Sequence, residues 1–174
     1  VHISAGELLR EEMSRPESDY GALISKHIKN GTIVPVAITC SLLEKTMKNH
    51  ANTIKESNHG DEVRGGKFLI DGFPRNYDNL QGWQKQMSDK TCVNFILFFD
   101  CPQDICIKRC LKRGKGAMKR TDDNEESLKK RLITYANDTL PIIQHYEKLN
   151  LVRKIDATPS PELVFQQVRK LFES

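Results

Sequence analysis

Five arginines and one aspartate carry most of the chemistry this sequence could do. Arg75 closes the run Asp71-Gly72-Phe73-Pro74-Arg75, which follows directly on the apolar triplet Phe68-Leu69-Ile70. Arg10 falls on a helical stretch near the start, Arg113 and Arg120 flank a polar loop, and Arg131 lies on the helix after it. A guanidinium is a planar fork that matches phosphate oxygens two at a time, so arginines converging from separate elements suit a polyphosphate. Taken singly, each is better read as a solvated surface residue. Position raises the odds, because Arg75, Arg113 and Arg120 lie on or beside strand-end loops.

The elements that must position these side chains alternate. His2-Ile3 reads as the tail of a strand, and Ser4-Ala5-Gly6-Glu7 has the S-x-x-E spacing of a capping box opening a helix. A second helix is expected from Ser18 to Asn30, stopped by Gly31, and a third opens at Pro35 and carries Ile38, Leu42, Leu43 and Met47. Asn49 to Gly66 reads as a fraying helix end and then a loop. Strands follow at Phe68 to Ile70, at Asn94 to Phe99 and at Val152 to Ile155. The run "NFILFF" is unbroken, as in a strand covered on both faces. Helices are expected over Leu80 to Met87, Pro102 to Arg113, Ser127 to Tyr146 and Ser160 to Phe172. Strands alternating with helices indicate an α/β fold whose parallel sheet is flanked by helices. In such sheets ligands bind beyond the carboxyl ends of the strands, where Asp71 and Asp100 both sit.

At 174 residues the chain is expected to form a single domain over 1–174, and it can bury roughly 70% of its unfolded surface. Its 38% hydrophobic and 29% charged residues fit a globular protein, and no apolar run reaches the length of a membrane span. No leader is visible, which places the chain in the cytoplasm and, as a second compartment, the nucleus. A net charge of +4, without a basic run interleaved with aromatics, suits small anionic ligands better than nucleic acid. Cysteines 40, 92, 101, 106 and 110 lack CxxC pairing, so they read as reduced core thiols rather than a zinc site.

Four stretches in order, "ISAGELLR" (Ile3 to Arg10), "FLIDGFPRN" (Phe68 to Asn76), "NLQGW" (Asn79 to Trp83) and "RTDDNEESLKKR" (Arg120 to Arg131), resemble the nucleoside monophosphate kinases. Within that family they are most similar to the UMP-CMP kinases of eukaryotes. The resemblance covers essentially the whole chain. It implies an adenylate-kinase-like fold with a nucleoside-monophosphate-binding helical part and linker at 18–66 and a short lid at 114–123. It implies transfer of a phosphoryl group from MgATP to CMP, UMP or dCMP by positioning and electrostatics, with no covalent intermediate. The partners would be small nucleotides, with no nucleic acid or membrane, and the enzyme a monomer.

The same resemblance assigns roles. Arg10 and Arg75 would hold the acceptor phosphate, with Ser4, Val36, Gly72 and Asn79 also lining the substrate. Arg113, Arg120 and Arg131 would grip the transferring phosphates, and Arg113 and Pro159 would touch ATP. Asp71 would organise Mg²⁺ through water, the alternative being a turn-capping carboxylate. The lid is short and lacks cysteines. Asn79 and Ala5 stand where adenylate kinases usually carry Gln and Thr, which points to a pyrimidine. A half-turn of the Asn79 carboxamide would let it read cytosine or uracil, unless it only caps the helix near Leu80.

The family opens with a strand and a Gly-rich phosphate loop, and these 174 residues contain no GxxxxGK[ST] frame. Truncation, an incomplete gene model and divergence are each compatible with that, and the polypeptide alone is expected to be inactive. The competing readings are a catalytically dead nucleotide-binding module, an unstable fragment with open sheet edges, and an adenylate kinase. Lys119, where Gly is usual before the lid arginine, a lid one residue longer and a long linker at 52–66 are smaller departures.

Overall fold

A computed structural model describes residues 1–57, 66–116, 120 and 122–173. Residue 119 and most of the 52–66 linker lie outside them, as do parts of the 114–123 loop. The described chain forms two compact units, residues 1–28 with 32–91 and residues 29–31 with 92–174.

In the first unit β1 (His2–Ser4) pairs in parallel with β2 (Leu69–Asp71), Ile3 opposite Ile70 and Ser4 opposite Asp71. Around them lie α1 (Ala5–Ser14), α2 (Gly21–Asn30), α3 (Val36–Ser57) and α4 (Tyr77–Met87). Sequence spacing explains the packing. Cys40, Leu43 and Met47 recur at i, i+3 and i+7 on α3, as do Leu80, Trp83 and Met87 on α4, so each helix presents one apolar stripe. The stripes bury against each other and against Ile3 and Ala5, with Phe73 tilted on Trp83 at 5.6 Å between ring centroids. Glu44 on α3 reaches Gln86 of α4 and Lys90 just beyond it, and hydrogen bonds from these and, foremost, from Lys48 on its own helix hold its carboxyl down to about 2.

Several expectations are met and several corrected. Gly31, at φ +65°, ends α2 as expected, and the Thr32 N–H bonds back to the His27 carbonyl (3.0 Å) in the manner of a Schellman stop. The capping box at Ser4 does not form. Ser4 makes no side-chain cap, its hydroxyl donating instead to Asp71 Oδ2 across the strand pair (3.2 Å), while Glu7 pairs with Arg10. The helix after Pro35 continues to Ser57 instead of fraying at Asn49.

In the second unit β3 (Ile96–Asp100) pairs in parallel with β4 (Val152–Asp156), Phe98 opposite Lys154. The helices are α5 (Gln103–Gly114), α6 (Glu125–Thr134), α7 (Leu140–Lys148) and α8 (Pro161–Glu173). The expected single helix over 127–146 is interrupted by a π turn at Tyr135–Thr139, closed by the Leu140 N–H on the Tyr135 carbonyl. Pro141, which has no N–H to give the α-helical ladder, lies just beyond it. Leu128, Ile142, Ile143, Tyr146 and Ile155 are buried. Phe99 is half exposed, so β3 is not covered on both faces within the described chain.

All five thiols are free, but only Cys40 is a core residue, its thiol pushed up to about 11 chiefly by burial. Cys92 is exposed. No helix among the described residues is long and apolar enough to cross a membrane.

Candidate active site

In the first unit the candidate site residues gather around the turn after β2. Gly72 takes φ +75°, which an L side chain rarely adopts, and a Cβ there would meet Arg75 Nη2 at 2.7 Å. Phe73–Pro74 is cis, and the chain doubles back so that Arg75 Nε donates to the Gly72 carbonyl at 2.6 Å. Glycine is needed twice over here, for the backbone and for the guanidinium lying against it. The reach of Arg75 is thereby set by its own turn. Asn76 then caps α4, its Oδ1 accepting from the Asn79 N–H at 2.8 Å.

That cap settles what Asn79 does not do. It is not the cap of a helix starting near Leu80. Its Oδ1 accepts from the Arg75 N–H (3.1 Å), while Nδ2 is buried with no hydrogen-bond partner among the described residues. A half-turn of the carboxamide would set Nδ2 against the Arg75 N–H, donor to donor. The expected flipping is therefore corrected: Asn79 presents a fixed donor.

Ser4 and Asp71 meet at the ends of β1 and β2, and the Asp71 carboxylate is exposed. An exposed carboxylate oxygen suits a hydrated Mg²⁺, which gives up its waters reluctantly. Arg10 lies beside Glu7 (2.9 Å) and close over Gly6, where a Cβ would come within 3.2 Å of Nη1. Val36, at the start of α3, packs onto Gly82 of α4. A Cβ on Gly82 would meet Val36 Cγ2 at 2.3 Å, so the glycine of "NLQGW" makes room for Val36. Gly82→Ala should therefore cost about 1–3 kcal/mol through overpacking. Urea unfolding checks this, and an unchanged midpoint would mean that Val36 yields without strain.

The second unit holds the other arginines against acids that were quoted in the motif but given no role. Arg113 Nε and Nη2 donate to Asp123 Oδ2 and Oδ1 at 2.8 and 2.6 Å, a bidentate fork. The Asp123 side chain is fully buried. Hydrogen bonding by Arg113 holds the Asp123 carboxyl below the usual carboxylate range and raises the guanidinium in turn. The Arg120 N–H also points at Asp123 Oδ2 (3.4 Å), and Arg131 Nη1 donates to Asp122 Oδ2 (3.0 Å). Asp122 Oδ1 is buried and has no hydrogen-bond partner among the described residues. Gly114 lies so close to the Asp123 carbonyl that a Cβ would stand 2.7 Å from it. Pro159 follows β4, its carbonyl bound by Arg109 (2.9 Å). Asp123 comes ten residues after Arg113, a spacing no local pattern flags.

Residues 1–151 match the family model for adenylate kinase. The chain belongs to the adenylate kinase family. It is a nucleoside monophosphate kinase by descent, as the four motifs implied. It is 55% identical to UMP-CMP kinase 2 of Caenorhabditis elegans, covering 100% of this chain and 83% of that protein. It is 55% identical to the UMP-CMP kinase of Bos taurus and 54% identical to that of Homo sapiens, in both cases over 99% of this chain and 84% of the relative.

The two units offer distinct chemistry. The first offers a fixed guanidinium, a buried amide donor and an exposed carboxylate. In the second, Arg113 and Arg131 hold carboxylates, Arg113 through both prongs of its fork.

Proposed function

We propose that these residues bind the acceptor and the transferring phosphates in an enzyme that moves a phosphoryl group from MgATP to CMP, UMP or dCMP. The observation that carries the acceptor assignment is the unpartnered, buried Asn79 Nδ2 on the turn that aims Arg75. On its 3,4-edge cytosine offers an acceptor at N3 and uracil one at O4. One fixed donor can thus serve both. The names of the relatives, UMP-CMP kinases at 52–55% identity, support the same substrate class.

Within the enzyme Arg10 and Arg75 would hold the acceptor phosphate, with Ser4, Val36 and Gly72 shaping its surroundings. Arg113, Arg120 and Arg131 would spread the charge of the transferring group, and Asp71 would orient Mg²⁺ through water. When bound, Mg²⁺ supplies charge neutralisation on the donor phosphates. The backbone nest and lysine of a Gly-rich phosphate loop have no counterpart among these 174 residues. Transfer is accordingly expected when the chain is joined to such a segment, and little or none from the 174-residue polypeptide alone.

A coupled assay of both forms with MgATP tests this. The joined enzyme should phosphorylate CMP and UMP far better than AMP. A preference for AMP would favour an adenylate kinase. Failure of the joined enzyme on every acceptor, with binding intact, would favour a nucleotide-binding module. Full activity of the 174-residue polypeptide would remove the need for the segment.

Asn79→Asp sharpens the base assignment. The carboxylate keeps an acceptor for the Arg75 N–H but turns an acceptor, not a donor, toward the base. CMP and UMP should lose kcat/KM together by about 10- to 100-fold, the cost of one mismatched buried hydrogen bond. Values within about twofold of the parent would remove Asn79 from the base site.

A further inference from the structure

Gly31 stops α2, and residues 29–31 belong to the second unit together with α6. The glycine lies against the base of the Arg131 side chain. A Cβ built there would stand 2.9 Å from Lys130 Cβ, 3.2 Å from the Arg131 backbone nitrogen and 3.4 Å from Arg131 Cγ. Its φ of +65° already favours glycine, and this close approach asks for the same residue again.

A bond from the helix it touches keeps the glycine in place. Thr134 Oγ1 donates to the Gly31 carbonyl at 2.9 Å, across 103 residues of sequence. Thr134 follows Lys130 by four positions and Arg131 by three on α6, so it lies one turn beyond both. A threonine within a helix often returns its hydroxyl to the carbonyl four residues back, as Thr46 does to Leu42 (2.9 Å) on α3. Thr134 turns its hydroxyl to Gly31 instead.

Arg131 is thereby held at two points. Its stem passes Gly31, and its tip donates to Asp122 Oδ2 at 3.0 Å. A long side chain loses rotamer freedom when it grips a ligand, and a confined stem has part of that freedom removed in advance. We propose that Thr134 and Gly31 are positioning residues for Arg131: the hydroxyl–carbonyl latch seats the glycine against the arginine stem and so limits where the guanidinium can reach. The inference rests on the proposed function in giving Arg131 the transferring phosphoryl group. Both residues act through Arg131, so the rate of transfer should fall while the affinity for either nucleotide holds.

Two measurements on the chain joined to a phosphate-loop segment test this. Thr134→Val keeps the shape of the side chain and removes the hydroxyl. By ¹⁵N relaxation it should lower the order parameter of the Arg131 Nε–H by roughly 0.2 and leave that of Arg113 unchanged. It should slow single-turnover transfer from MgATP to CMP about 3- to 10-fold, the worth of one neutral hydrogen bond. KM for CMP and for MgATP should stay within about twofold of the parent, and Thr134→Ser should restore the rate. In an Arg131→Gln background, where the charge is gone but a donor remains for Asp122, the valine should cost less than about twofold more.

A rate within about twofold of the parent, or an unchanged Arg131 order parameter, overturns the proposal. So does an undiminished loss in the Arg131→Gln background, which marks a latch serving α6 alone. Should the valine variant not fold, Thr134→Ala is read by the same criteria. If the parent phosphorylates no pyrimidine monophosphate, the proposed function fails and the Arg131 order parameter still decides the latch.

Discussion

Arg75→Ala should lower kcat/KM for the nucleoside monophosphate by about 150-fold, or ~3 kcal/mol, in the chain joined to a phosphate-loop segment. The reason lies in how little the side chain has to do on binding. Its Nε is already latched to the Gly72 carbonyl, and its backbone N–H to Asn79 Oδ1, so the fork meets a phosphate with most of its ordering entropy spent in folding. Both KM and kcat should suffer, since in the proposed role the contact would orient the attacking phosphate as well as bind it. Arg75 is exposed, so the melting temperature should move by no more than about 2 °C, within the small effect expected of surface substitutions. Unchanged kcat/KM with CMP and UMP would return Arg75 to the surface.

Arg113→Ala should act on stability. It leaves Asp123, with a fully buried side chain, without its bidentate partner. Removing one member of a buried pair costs about 3–5 kcal/mol, and the lower end applies because Arg113 is itself a third exposed. The pH dependence follows from the direction of the shift. Arg113 holds the Asp123 carboxyl below the ordinary carboxylate range, so its stabilisation is present above that range and is lost as pH falls through the folded-state value. The gap between parent and variant should be widest near neutrality and should close in acid, where the stranded carboxyl can take a proton. Chemical unfolding at pH 7 and pH 3 measures it. A gap that stays constant, or grows in acid, would mean that Asp123 draws its stabilisation from elsewhere.

The regular elements were legible because their signals are local. Apolar triplets announced the strands, Gly31 stopped α2, and Pro35 opened α3 one residue before its first helical position. Where the signal was local but the competitor remote, the sequence misled. Ser4 has a capping neighbour three residues on, yet its hydroxyl goes to Asp71, which is near only because β1 and β2 pair. The turn after β2 was visible as a motif, but its internal wiring was not. Which of Asn76 and Asn79 caps α4 depends on a one-turn shift in where the helix begins, a detail propensities do not resolve. The partners of the second-unit arginines escaped for a different reason. Asp122 and Asp123 were in plain view as charged loop residues, and only burial distinguishes a structural carboxylate from a solvated one.

The π turn at Tyr135–Thr139 has a consequence for chain length. With hydrogen bonds reaching back five residues instead of four, it takes up about one more residue than an α-helical turn would. On a rod where each residue advances the face by about 100°, that spare residue sets the angular phase of α7 relative to α6. Losing one residue inside the turn would leave Ile142, Ile143 and Tyr146 facing inward, although Pro141 would still interrupt the α-helical ladder. The same loss within α6 or α7 would swing part of the buried stripe toward water. The tolerance of this long helical segment to a change in length is therefore concentrated in five residues.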